Sequence, residues 1–130
     1  MSERFHSVVL VDDSDDDNFI HERYLRRANW SEHVHTCTSA DQLFELLAAV
    51  DRPPEVVFLD LNMPQMNGFQ VLERLAARPE LTRGLRVVIL TSSLHHDDRR
   101  RAEASPLVAA YVEKPLGVEL LGRLKREHLS

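Results

Sequence analysis

Five short apolar runs rich in β-branched residues punctuate the chain: SVVLV (7–11), HVHTC (33–37), VVFL (56–59), LRVVIL (85–90) and LVAAYV (107–112). Each is too short to persist as a helix, and their branched side chains suit a pleated, buried surface. The segments between them have helical spacing instead: Phe19, Ile20, Tyr24 and Leu25; Leu43, Leu46, Leu47 and Val50; Phe69, Leu72, Leu75 and Ala76; then Leu116, Leu120, Leu121 and Leu124. Regular alternation of strand and helix, joined by right-handed crossovers, requires a parallel sheet covered on both faces. The first, third and fourth runs are apolar almost throughout, as strands buried on two sides must be. The predicted fold class is therefore α/β, doubly wound, with Ser14 and Ser39 capping the first two helices and Pro79 closing the third. HHDDRRRAEASP (95–106) fits this pattern poorly, because only Ala102 and Ala104 offer it an apolar face. Packing contributes little there, and the spacing predicts a short, mobile fourth helix.

A length of 130 residues, 43% hydrophobic, with four Gly and six Pro, suits one globular domain over 1–130 without repeat or linker. The formal charge of −5 argues against nucleic acid or an anionic membrane as partner, since both recruit positive surfaces. The single Cys37 forms no internal disulfide and reads as a small buried side chain in a reducing compartment. The start MSERFHSVVLV lacks the features of a signal peptide, and no run approaches the ~20 apolar residues of a membrane span. A cytoplasmic location is expected.

In an open parallel sheet, ligands bind beyond the carboxyl ends of the strands. The residues at those ends are Asp12 and Asp13, Asp60, Thr91 and Ser92, and then Glu113, Lys114 and Pro115. Singly, each has an ordinary explanation in helix caps, dipole pairing or surface turns. Together they place three carboxylates, a hydroxyl and an ammonium at one edge. Two carboxylates ~4 Å apart repel by about 4 kcal/mol at an effective dielectric near 20, so one Lys under-compensates three. A divalent cation supplies the balance, and an all-oxygen donor set suits Mg²⁺ or Mn²⁺ better than Zn²⁺. A site so built receives a group that is itself anionic and metal-coordinating, a phosphoryl group.

VVLVDDS (8–14), VVFLDLNMPQMNGFQVL (56–72), VVILTSS (87–93) and YVEKP (111–115), in this order, resemble the response-regulator receiver domains of two-component signalling. ELTRGLRVVILTSS (80–93) further resembles the stand-alone receivers that partner phytochrome-type kinases. The resemblance implies a flavodoxin-like five-stranded sheet in the order 2-1-3-4-5. It implies that Asp60 accepts a phosphoryl group from a histidine kinase or phosphotransfer protein. Asp12, Asp13, Asp60 and the Asn62 carbonyl would hold the metal, Asp13 being the more direct ligand, while Lys114 and Thr91 would bind phosphoryl oxygens. Met63, Pro64 and Gly68 match the turn after the acceptor, and the bond before Pro115 is expected to be cis. Thr91 and Tyr111 would form the switch: Thr91 is drawn inward by the added charge and Tyr111 rotates into the space it leaves. The chain would be a signalling phosphoacceptor rather than an enzyme, acting on a downstream protein, and its last strand and flanking helices offer a homodimer face.

Ser92 departs from the family pattern, which has Ala or Gly after the switch Thr. Asn62 and Ser93 occupy the positions that tune attacking water, and neither is an obvious general base; slow self-hydrolysis is predicted. The main alternative is a receiver-like interaction module that works without phosphorylation, against which the joint presence of Asp13, Asp60 and Lys114 argues. DDSDDD is no EF-hand, having Asn18 where Gly is needed and Tyr24 where Glu is needed. A haloacid-dehalogenase-type phosphatase needs an acid where Asn62 stands, and a flavodoxin-like cofactor would be repelled by the same acids. His33 and His35 share a strand face, with His95 and His96 further on; all read as solvated surface rather than a metal site, as does RRR (99–101).

Overall fold

The computed structural model describes residues 4–93 and 95–129. The elements run β1 (Phe5–Val11), α1 (Asp15–Arg27), β2 (Ser31–Cys37), α2 (Ala40–Ala49), β3 (Val56–Leu59), α3 (Gly68–Ala76), a 3₁₀ turn (Pro79–Leu81), β4 (Arg86–Thr91), α4 (His96–Glu103), β5 (Val108–Glu113) and α5 (Val118–Glu127). All four strand pairs are parallel and the order is β2-β1-β3-β4-β5. The doubly wound fold follows from the sequence pattern as predicted. β1 and β2 begin two residues before the apolar runs suggest, because Phe5 and Ser31 already pair across the sheet.

The pleat divides the core in two. Val9, Val11, Val57, Leu59, Val87 and Ile89 face Leu43 and Leu47 of α2 and Val71, Leu72 and Leu75 of α3. Val8, Leu10, Val56, Phe58, Val88 and Leu90 face Leu25 of α1 and Leu121 and Leu124 of α5. Trp30 anchors this second layer, stacked near Phe5 and Phe58 with its indole N–H donating to the Leu121 carbonyl at 2.8 Å. Burying so large a side chain is stabilising only when that N–H finds an acceptor.

The predicted face of α1 requires correction. Leu25 is buried, but Phe19 and Ile20 stand 62% and 45% exposed, and the inward positions belong to Asn18 and His21. The reason is polar: the first turn of α1 lies against the carboxyl ends of β1 and β2, whose terminal carbonyls need donors. The Asn18 amide supplies them, donating to the Asp12 carbonyl at 3.0 Å and to that of Cys37 at 3.1 Å. Smaller corrections fall on Ala76 and Ala104, both exposed, and on Leu46, Val50, Phe69 and Leu120, which are half-buried. The caps by Ser14 and Ser39 form as predicted, and Pro79 opens the 3₁₀ turn that follows α3. α4 is short, with Ala102 its one buried residue. No described helix is long and apolar enough to cross a membrane.

The loop from β3 to α3 is fixed by close packing. The Gly68 amide donates to the Leu61 carbonyl at 3.0 Å, and Asn67 and Gln70 cap α3 reciprocally. A Cβ on Gly68 would stand 2.8 Å from both the Asp60 carbonyl oxygen and the Leu61 Cα, backbone atoms that cannot swing aside. Gly68→Ala is expected to cost about 1–3 kcal/mol in urea unfolding. Gly117→Ala, whose Cβ meets open space at the N-cap of α5, is expected to cost less, about 0.5–1 kcal/mol, through the weaker cap alone.

Candidate functional site

Because every strand is parallel, β1, β3, β4 and β5 all finish at one edge. That edge gathers Asp12, Asp60, Thr91 and Lys114. The backbone continues the alignment: the Asp60 amide donates to the Val11 carbonyl, the Asp12 amide to that of Cys37, and the Lys114 amide to that of Thr91. Asp12, Asp60 and Thr91 are buried, whereas Asp13 is exposed at the rim. The peptide between Lys114 and Pro115 is cis, as expected.

Lys114 is the centre of the charge arrangement. Its Nζ donates to Asp12 Oδ2 at 2.5 Å and to Asp17 Oδ2 at 2.8 Å, and lies 3.5 Å from Asp60 Oδ2. Burial alone would lower the pKa of this ammonium; its hydrogen bonds to Asp12 and Asp17 and the charge of Asp60 overcome that and hold it well above the usual lysine range. Asp60 shifts upward. Burial is the largest cause and the Asp12 charge adds to it, against the opposing pull of Lys114 and of hydrogen bonds from the Asn62 amide and the Thr91 hydroxyl. The Asn62 bond is long, at 3.4 Å. One ammonium thus leaves the acidic group incompletely balanced.

Carboxylate oxygens of Asp12, Asp13 and Asp60 come within 4.8 Å of one another. Convergent hard oxygens, one of them on a carboxyl whose ionisation is disfavoured, fit a divalent cation of the Mg²⁺ or Mn²⁺ kind. Asn62, two residues beyond Asp60, is exposed beside them. The sequence reading missed Asp17, which shares Lys114 with Asp12. It sits in the first turn of α1, and only the folded chain shows which acid of DDSDDD turns back toward the ammonium. His21 was missed too; it is buried behind the site, and burial, with Lys114 nearby, lowers its pKa.

Thr91 and Tyr111 are joined through the loop between β4 and α4. Thr91 Oγ1 accepts from the Ser93 amide at 3.2 Å, and the Tyr111 hydroxyl donates to the Ser93 carbonyl at 3.0 Å. The Ser93 hydroxyl in turn donates to Asp98 at 2.8 Å, tying the loop to the first turn of α4. Tyr111 is half-buried, and Ser92 is exposed beside Thr91.

Residues 8–125 match the family model described as Response regulator receiver domain. A two-component response regulator from Cytophaga hutchinsonii superposes with a TM-score of 0.87 at 31% identity, covering 96% of this chain and 97% of that one. A bacteriophytochrome response regulator, RtBRR, superposes at 0.76 with 29% identity, covering 91% and 74%. Among curated proteins, a probable methanogenesis regulatory protein, FilR2, of Methanothrix harundinacea is 42% identical over 74 residues, 57% of this chain and 46% of that protein. The chain spans less than half the length of the first curated relatives it matches.

The raised pKa of Asp60 has a consequence for stability. A carboxyl whose folded pKa exceeds its unfolded value of about 3.9 destabilises the fold when ionised. The cost is complete above the folded pKa and vanishes as pH falls below the unfolded one. At neutral pH without divalent cation, Asp60→Asn is expected to raise the thermal midpoint by roughly 2–5 °C, the shift that about 1 kcal/mol produces in a domain of this size. In calorimetric melts the gap should close below about pH 4.

Proposed function

Because this chain belongs to the response regulator receiver domain family of two-component signalling, we propose that Asp60 is its phosphoacceptor and that phosphorylation switches a protein-interaction surface at β4, α4 and β5. The observation that carries this reading is the three-way engagement of Lys114 with Asp12, Asp17 and Asp60. A buried nucleophile, a cation beside it and a second acid to hold a metal are what phosphoryl transfer to a carboxylate requires.

The donor is a phosphohistidine on a sensor kinase or phosphotransfer protein. An Asp60 carboxylate oxygen attacks phosphorus, the O–P bond forms as the N–P bond breaks, and the imidazole leaves with the pair of electrons. Asp12, Asp13, Asp60 and the Asn62 carbonyl are the residues to hold Mg²⁺ or Mn²⁺, which when bound offsets the charge on the transferring oxygens. Lys114 then exchanges part of its hold on Asp12 and Asp17 for a phosphoryl oxygen, and Thr91 donates to another. Lys114 fixes the position of the group; the backbone of 60–62 and Gly68 fix the position of the acceptor.

A phosphoryl group adds roughly −1.5 to −2 charge. Drawing Thr91 toward it disturbs the acceptor of the Ser93 amide, and Ser93 carries both the Tyr111 and the Asp98 contacts. The switch therefore passes through Ser93 as well as Thr91 and Tyr111. α4, held by little apolar packing, is the element with least to lose on moving. The likeness to a bacteriophytochrome response regulator supports a phytochrome-type kinase as the donor. We place the protein in the cytoplasm as one receiver domain, with self-association through β5 and its flanking helices as its dimer mode and a downstream protein as its target.

Incubation with acetyl phosphate and Mg²⁺ should add a single phosphoryl mass to the intact protein. Asp60→Asn should abolish the adduct, and Lys114→Ala should leave it greatly reduced. An unmodified wild-type mass would favour the interaction module that works without phosphate. With Asn62 and Ser93 flanking the site and Ser92 beside Thr91, the isolated phosphoprotein is expected to outlast a half-life of seconds when followed by phosphate release.

A further inference from the structure

A second cluster of ligating side chains lies at the opposite end of β1, away from the acidic edge. His6, Glu32 and His33 bring one donor atom each to within 4.8 Å of one another. His6 Nδ1 is 3.3 Å from Glu32 Oε2, and the His6 and His33 rings stand edge to face with centroids 5.1 Å apart. These contacts join two strands. In a regular strand successive amides point to opposite neighbours, yet those of His6 and Ser7 both donate to Glu55 Oε1, at 2.6 and 3.2 Å. The His6 ring meets the edge strand β2, where Glu32 and His33 are exposed.

We propose that His6, Glu32 and His33 form a binding site for a borderline divalent cation of the zinc type, separate from the acidic pocket. Two imidazoles and one carboxylate are a donor set that zinc takes readily, with water in the fourth position, and one that Mg²⁺ does not favour. Ligands ~2.0–2.1 Å from a tetrahedral ion stand about 3.4 Å apart. The His6–Glu32 separation already has that value, and rotation of half-exposed side chains closes the rest. Glu55 acts as a support, fixing the His6 backbone. Arg4, 3.9 Å from the other Glu32 oxygen, is the competing cation. A bound ion would tie the start of β1 to the exposed edge of the sheet.

The test is calorimetric titration of the full chain with Zn²⁺ near neutral pH in saturating Mg²⁺, which occupies the acidic pocket. One equivalent should bind. His6→Ala and His33→Ala should each weaken binding roughly tenfold or more, while Asp60→Asn leaves it unchanged. His6→Gln and a cooperative melt for each variant separate lost ligation from lost folding, and histidine ring proton shifts on Zn²⁺ addition should be confined to His6, His33 and His35. No uptake, uptake lost only in Asp60→Asn, or equal affinity in wild type and both His variants would each overturn the assignment.

Discussion

The Lys114 ammonium, held between Asp12, Asp17 and Asp60, is the interaction on which the carboxyl edge of this sheet depends. Two of those carboxylates are buried, and without a cation beside them their desolvation would be uncompensated. Lys114 comes from the far end of the sequence and reaches the site because β5 ends level with β4, its amide bonded to Thr91. A single charge makes the cluster tolerable while leaving Asp60 reluctant to ionise. That residual imbalance is what a divalent cation would relieve, and it is the basis of the phosphoryl-acceptor reading proposed for Asp60.

The same edge explains the departure of α1 from simple amphipathicity. Apolar spacing pointed Phe19 and Ile20 inward with Leu25, yet Asn18 and His21 are buried beside Leu25 in their place. At the ends of β1 and β2 the Asp12 carbonyl and the second lone pair of the Cys37 carbonyl, which already accepts from the Asp12 amide, face the start of α1, and a helix packed against them must bring donors. Asn18 meets that demand twice. Phe19 and Ile20 are left on the surface beside the acidic site, a consequence of polar bookkeeping at the sheet edge.

Ser93 ties the acidic edge of the sheet to β5 and α4. It is bonded to Thr91 through its amide, to Tyr111 through its carbonyl and to Asp98 through its hydroxyl. α4 presents one buried Ala to the core, while Arg99 pairs with Glu103 and Arg101 lies over the Phe69 ring. Exposed pairs of this kind contribute little. The element that the proposed switch would move thus presents a single buried side chain to the core.

The order of apolar runs by itself determined the doubly wound class, since strands of alternating helix and branched apolar residues can bury both faces only in a parallel sheet. Parallelism in turn put Asp12, Asp60, Thr91 and Lys114 at one edge, which is why those residues were legible in the sequence. The tertiary structure alone decided that Asp17 rather than another acid of DDSDDD shares the ammonium, that Ser93 joins Thr91 to Tyr111, and that His6 meets His33. Those pairings span different elements and turn on side-chain direction, of which linear spacing carries no record.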